Sequence, residues 1–154
     1  MRRNKADAAA DERCMGLSFQ RLDVYKCATD FLVLAAEISA STVRGNAPLL
    51  DQLRRAATSV TLNIAEAAGR TGKADAARAY AIARGSAMEC AAILDALRAL
   101  SSLTPGNHER GDLLLERIVA MLTRLCRGVL DAPATSPSPS PSPTTPTLSD
   151  WHCR

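Results

Sequence analysis

The chain has 154 residues and a formal net charge of +3, and this length suits a single domain. Hydrophobic residues make up 47% of it and aromatic residues only 3%. Single-strand binders and RNA-recognition sheets stack bases on clustered aromatic side chains, so five scattered aromatics exclude that kind of site. The abundance of Ala, Leu and Arg over Val, Ile, Tyr and Thr favours helices over an all-β fold.

The two ends of the sequence differ from its body. Residues 1–16 carry charges with no apolar stretch after them, so they are predicted to be a flexible segment and not a secretory signal. Residues 132–154 hold six of the eight prolines within a Ser-Pro repeat, which predicts an extended, disordered tail. No apolar run is long enough to span a bilayer. We therefore expect a cytoplasmic protein with one folded domain, residues 17–131.

The first predicted helix covers residues 22–40. Apolar residues recur along it at spacings of 4, 3, 4 and 3, which is the period of one helix face. Gly45 and Asn46 predict a break after it, and a second helix starts at Pro48, because a proline is tolerated in a first helical turn. The apolar face of the first helix consists of Val24, Ala28, Phe31, Ala35 and Ile38.

Three further helices are predicted at residues 48–68, 74–103 and 109–130, with Gly69 and Gly72 ending the second and a turn at 104–107 before the fourth. The apolar face of the third begins with small residues, which predicts close packing against a neighbouring helix. The short connections predict an all-α, up-down-up-down four-helix bundle. The predicted inward residues are Leu49, Leu53, Ala56, Ala57, Val60, Ile64 and Ala67, then Ala79, Ala83, Ser86, Cys90, Ile93, Leu94, Leu97 and Leu100, then Leu114, Ile118, Met121, Leu125 and Val129.

Polar side chains follow one flank of the second helix, between its apolar face and solvent. Two interpretations of this flank are open. In the structural one, Asn63 and Glu66 hydrogen-bond to another helix or pair with Arg55 or Arg70. In the functional one, basic residues of the second and third helices contact phosphates; the candidates are Arg54, Arg55, Arg70, Lys73 and Arg84. The flank itself consists of Gln52, Arg55, Ser59, Asn63, Glu66 and Arg70.

The sequence contains no constellation that predicts catalysis or metal binding. Its five cysteines contain no C-x-x-C pair, so neither a disulfide framework nor a zinc site is indicated. His108 and His152 are the two histidines, and neither belongs to the Glu-x-x-His pattern of a bundle metal site. Glu66 and Glu89 could meet across two helices, but without histidine ligands a structural role is favoured. We expect no cofactor, no metal and no enzymatic activity.

Several short motifs at fixed separations make the sequence resemble a known family. They are Gln52 to Ala57, Ser59 with Val60, Asn63 to Glu66, Arg70, Ile82 to Ala87 and Glu89, preceded by Phe19, Leu22, Val24, Tyr25 and Lys26. Together they resemble the four-helix-bundle family first found encoded in 23S rRNA intervening sequences, to which the Avd accessory proteins of diversity-generating retroelements are similar. The resemblance covers residues 19–130. Ala67 departs from it where the family usually has Gly, and Thr61 where Pro is common.

The resemblance implies a bundle without catalytic activity that assembles into a ring, typically a pentamer. In the retroelement branch the ring is basic, binds nucleic acid and partners a reverse transcriptase. Twelve of the fourteen basic residues within 17–131 are Arg, and five copies of that region would carry about +10 in one particle. We expect an accessory protein that binds RNA or DNA phosphates. The alternative is a structural or protein–protein scaffold with no nucleic-acid role.

Overall fold

The computed structural model describes residues 17–41 and 46–131. The flexible segment predicted at residues 1–16 and the tail predicted at 132–154 lie outside these residues, as does the predicted break at Gly45. A short 3-10 helix, Ser18–Arg21, leads into four α-helices. Their bounds are α1 Asp23–Ser41, α2 Ala47–Gly69, α3 Lys73–Ala99 and α4 Pro105–Asp131.

The four helices form an antiparallel bundle in which each helix packs against its two neighbours. α1 lies next to α2 and α4, α3 also lies next to α2 and α4, and the backbones of the two diagonal pairs stay apart. No strand occurs in the described residues, so the prediction of an all-α, up-down-up-down four-helix bundle is confirmed. Within these same ranges, no helix is both long and apolar enough to cross a membrane.

The core follows the predicted helix faces closely in α1, α2 and α3. All five apolar residues predicted for α1 are buried, and Cys27 and Leu34 extend that face. α2 and α3 form the most extensive helix pair, in agreement with the small side chains along the first half of α3. The prediction for Leu100 is wrong, since its side chain is 57% exposed. The largest fully buried side chains are Phe31, Leu34, Ile38, Leu53, Val60, Ile64, Cys90, Leu94, Leu97, Ile118 and Leu122.

α3 ends four residues before the predicted position. The amide of Ser101 donates to the Arg98 carbonyl at 3.0 Å and that of Ser102 to the Leu97 carbonyl at 2.9 Å, the paired bonds of a Schellman cap. Ser101 has φ 54°, a left-handed conformation for which glycine is the usual residue. Because a serine occupies this place, the sequence carries no glycine signal for the helix end. The turn returns Leu103, 6% exposed, to the core.

α4 begins at Pro105, not at the predicted residue 109, and the predicted turn at 104–107 is largely its first helical turn. Thr104 accepts hydrogen bonds from the amides of Asn107, through its hydroxyl at 3.3 Å, and His108, through its carbonyl at 3.1 Å. A proline is well placed at the start of a helix because its missing N–H leaves no donor unsatisfied. Pro105 and Gly106 therefore start this helix, whereas the sequence pattern indicated a turn.

The buried face of α4 is rotated from the predicted one. The predicted residues other than Ile118, namely Leu114, Met121, Leu125 and Val129, are only half-buried, while Gly111, Leu115, Ile118 and Leu122 face the core. The reason is that α4 packs more extensively against α3 than against α1. Gly111 lies directly against core side chains: an added Cβ would overlap Cδ1 of Leu94 and lie 3.7 Å from the ring of Phe31.

Replacing Gly111 with Ala should lower the free energy of unfolding by about 1–3 kcal/mol, because the fully buried Leu94 must leave its rotamer. Gly128→Ala in the same helix is the matched control. Nothing lies within 4 Å of a Cβ added at Gly128, so the better helix propensity of Ala should raise the free energy of unfolding by up to about 1 kcal/mol. Urea unfolding followed by circular dichroism measures both changes. A Gly111→Ala chain as stable as the parent would contradict the close approach.

Ser101→Gly should raise the free energy of unfolding by about 0.5–1 kcal/mol, since glycine adopts the left-handed conformation without the penalty that a Cβ brings. Ser101→Ala keeps the Cβ and should give no gain. Thermal melts of the two variants test the cap, and equal gains from Gly and Ala would show that the left-handed backbone is not the cause.

Candidate functional site

The polar flank of α2 faces α3, where it forms a line of hydrogen bonds between the two helices. Gln52 Nε2 donates to Glu89 Oε1 at 2.6 Å, and the Ser59 and Ser86 hydroxyls share a hydrogen bond of 2.9 Å. Asn63 Nδ2 donates to the carbonyl of Ser59 at 2.8 Å and to its hydroxyl at 3.1 Å. We call this set, Gln52, Ser59, Asn63, Ser86 and Glu89, the polar seam. Small hydroxyl groups at its centre let the two backbones approach closely.

These contacts agree only in part with the structural interpretation of the flank. Asn63 bonds within α2 and not to another helix. Glu66 pairs with Arg70, one of the two arginines that the structural interpretation named. Glu66 and Glu89 do not meet, because Glu89 accepts from Gln52. Within the described ranges every buried side-chain nitrogen and oxygen has a hydrogen-bond partner, so the seam leaves no buried polar atom without one.

The five predicted phosphate contacts do not form one cluster. Arg54 pairs with Asp51 on α2, and Arg70, which directly follows α2, pairs with Glu66; all four side chains are about half exposed. The hydrogen bond to Glu66 is also the main cause that raises the pKa of the Arg70 guanidinium. Arg55 lies on the outer surface of α2 next to Arg54. Lys73 begins α3 and Arg84 lies further along it, both exposed.

Most arginines of the described residues have no acidic partner. Three of them form ion pairs, while eight exposed ones take part in no ion pair or hydrogen bond within residues 17–41 and 46–131. The unpaired ones are Arg21, Arg55, Arg78, Arg84, Arg98, Arg117, Arg124 and Arg127. Sequence reasoning missed all of these except Arg55 and Arg84.

A sequence signal for part of the missed set exists on α4. Arg117, Arg124 and Arg127 are separated by seven and three residues, spacings that place them on one side of a helix. All three are exposed. The apolar residues of α4 are the strongest feature of its sequence and indicate its buried face. The three arginines lie on the opposite side of the helix.

His108 joins α3 to the first turns of α4. Its Nε2 lies 2.8 Å from Asp95 Oδ1 and its Nδ1 lies 3.1 Å from Asp112 Oδ2. Imidazole and carboxylate are ligand types for divalent cations, and the three ligand atoms lie within 4.8 Å of one another, the one such group in the described part of the chain. Both ring nitrogens already face carboxylates, so the group acts as a hydrogen-bonded clamp between two helices.

Three free cysteines lie in the described residues, and two of them are buried. Cys27 and Cys90 are buried, and the Cys126 thiol lies 3.8 Å from the carbonyl of Ala77. Burial, with a smaller contribution from the nearby Glu89, raises the pKa of Cys90 to about 12. A thiol with such a pKa is protonated at neutral pH and is a poor nucleophile.

Cys90 should therefore resist N-ethylmaleimide in the native chain at about pH 8 and react only after unfolding, because alkylation requires an exposed thiolate. Peptide mapping by mass spectrometry after timed labelling distinguishes it from the half-buried Cys126, which serves as the internal reference. Rapid native labelling of Cys90 would show that α3 opens there without global unfolding.

The fold and these residues define a class: a helical bundle protein with a satisfied polar seam and a surface rich in unpaired arginines. The family model described as 23S rRNA-intervening sequence protein matches residues 20–124, more than half of the chain. The chain belongs to the family of 23S rRNA-intervening sequence proteins.

One solved structure shares the fold across most of its length. It is a protein of unknown function from the S23 ribosomal protein family of Bacteroides thetaiotaomicron VPI-5482, with a TM-score of 0.61 and 21% sequence identity. The similarity covers 68% of this chain and 98% of that one, and at this identity it supports the bundle fold alone. No curated protein matches the chain.

Proposed function

We propose that this chain is a non-catalytic, ring-forming accessory protein that binds RNA or DNA through arginine contacts to phosphates. The observation that carries the proposal is the set of eight exposed arginines without an acidic partner in the described residues. A guanidinium group that has no carboxylate partner can offer its planar fork of donors to a phosphate. The family description, which refers to 23S rRNA, favours RNA as the first ligand to test.

The aromatic residues support contact to phosphates in preference to contact with bases. Phe19 and Tyr25 pack edge to face on each other, with ring centroids 4.8 Å apart and planes at 70°. This pair corrects the expectation that all aromatics are scattered singly, but an edge-to-face pair offers no flat platform for a base. Binding through phosphates alone carries little sequence preference and weakens steeply with salt.

Assembly would strengthen such binding. One chain has a net charge of only +3, whereas a homopentamer repeats exposed arginines such as Arg84, Arg124 and Arg127 around one particle. The pentamer and a reverse transcriptase partner are predictions from the family resemblance. The buried Cys90 thiol, with a pKa of about 12, is a poor nucleophile, which agrees with a protein that has no catalytic role.

Two variants that remove equal charge test the proposal. In the first, Arg84, Arg124 and Arg127 become Gln, and all three are unpaired. In the second, Lys26, Arg54 and Arg70 become Gln, and all three pair with carboxylates three or four residues earlier in the chain. The first variant should bind RNA at least about tenfold more weakly. For each arginine that no longer binds a phosphate, the slope of the logarithm of the binding constant against the logarithm of salt concentration should become shallower by about one. The second should be weakened much less.

The measurement is fluorescence anisotropy of a labelled, structured RNA between about 50 and about 200 mM salt, with a DNA hairpin in parallel. Light scattering first establishes that both variants keep the oligomeric state of the parent chain. Equal weakening in the two variants would show that net charge, and not unpaired arginine, governs binding. If the parent chain forms no complex even at low ionic strength, the scaffold alternative replaces the nucleic-acid proposal.

A further inference from the structure

Two surfaces of the bundle combine an exposed apolar side chain with an unpaired charge, and the charges are opposite. The first, the α1–α4 groove, has a volume of about 530 Å³ and includes Asp30, Val33, Glu109 and Leu113. Val33 is 51% exposed and Leu113 58% exposed, which leaves two large apolar side chains in contact with solvent.

The second surface, the α2 outer surface, is built around Leu62, which is 62% exposed. Arg54, Arg55, Thr58 and Glu66 surround it. It thus places an apolar side chain between charged neighbours, as the centre and rim of a protein interface do.

The unpaired charges on the two surfaces are complementary. On the α2 outer surface Arg54 is neutralised by Asp51, whereas Arg55 has no acidic partner in the described residues. In the α1–α4 groove Arg110 is neutralised by Glu37, and neither Asp30 nor Glu109 takes part in an ion pair or hydrogen bond with another described residue. One surface therefore has a free positive charge beside its apolar centre, and the other has two free negative charges.

The two surfaces cannot meet within one chain. α2 is diagonal to α4, so the α2 outer surface and the α1–α4 groove lie on different sides of the bundle. Pairing either surface with its own copy would set Asp30 and Glu109 against acids, or Arg55 against Arg55, and like charges in an interface are unfavourable. A second copy offers the complementary surface to each, which makes the contact heterologous.

We propose that copies of this chain associate head to tail, with Leu62 and Arg55 of one copy seated in the α1–α4 groove of the next. Leu62 packs against Val33 and Leu113 there, and Arg55 faces Asp30 and Glu109. The inference rests on the ring of the proposed function and identifies its interface. A heterologous contact repeats around a ring when its rotation closes, so the two surfaces together suffice for a closed assembly.

Three single substitutions at equally exposed leucine or methionine positions test the interface: Leu62→Glu, Leu113→Glu and Met88→Glu. Met88 is the matched control, 57% exposed but on the α3–α4 side of the bundle. Sedimentation velocity should show the first two as single chains of 16.4 kDa and the third at the mass of the parent assembly. Circular dichroism checks that all three keep the helical content of the parent.

Mixing the two disrupted chains gives the decisive result. The Leu62→Glu chain keeps an intact groove and the Leu113→Glu chain keeps an intact α2 outer surface, so an equimolar mixture should form dimers and nothing larger. A charge exchange provides a second readout: Arg55→Glu should weaken assembly at least about tenfold, and combining it with Asp30→Arg and Glu109→Arg should restore it.

The outcomes separate this inference from the proposed function. If the parent chain is monomeric at all concentrations, both the ring and its interface are wrong. If the parent assembles but Leu62→Glu and Leu113→Glu assemble equally well, the ring stands and this interface is wrong. If one substitution disrupts assembly and the mixture forms no dimer, the contact joins like surfaces and the head-to-tail arrangement is wrong. Nucleic-acid binding is measured separately on Arg84, Arg124 and Arg127, which belong to neither surface.

Discussion

The close approach of α2 to α3 is the constraint on which the rest of this bundle depends. Ser59 and Ser86 can share a 2.9 Å hydrogen bond only where small side chains bring two helix backbones together. The same approach sets Gln52 against Glu89. If one helix slid along the other, the half-buried hydroxyls of Ser59 and Ser86 would lose each other as partners, at a cost of about 1–3 kcal/mol for a group left buried and unpaired, whereas the exposed Gln52 and Glu89 can bond to water. The polar seam therefore fixes the register of the two helices.

The pairing of charges also shapes the surface. Ion pairs neutralise Asp23, Glu37, Asp51 and Glu66, and His108 lies against two more carboxylates, one on α3 and one on α4. The charged side chains without an ion pair in the described residues are mostly arginines, spread over the 3-10 helix, α2, α3 and α4, and the acids among them include Asp30 and Glu109 at the α1–α4 groove and Glu116 on α4. Surface charge is thus divided between basic groups suited to phosphates and a few acids suited to a second copy of the chain.

Features set by contacts within one helix were largely predictable. The apolar face of α1 follows from its spacing, and the pair of Glu66 and Arg70 follows from their separation of four residues. Features set by contacts between distant segments were not. Asp95 and His108 stand thirteen residues apart in different helices, and the end of α3 at Ala99 depends on a serine in a conformation typical of glycine. The rotated face of α4 likewise reflects its closer packing on α3.

The sequence by itself determined four amphipathic helices, their order and the family to which their motifs point, because helix periodicity and family motifs are local properties of the chain. Only the tertiary structure decided which arginines are unpaired, since pairing depends on whether a carboxylate lies within a few ångström in space. It also decided where the α2 outer surface and the α1–α4 groove lie, two surfaces on which exposed apolar side chains stand beside unpaired charges of opposite sign. A surface shared by α1 and α4 joins residues from the first and the last helix in the sequence. Only packing brings Asp30 and Val33 beside Glu109 and Leu113.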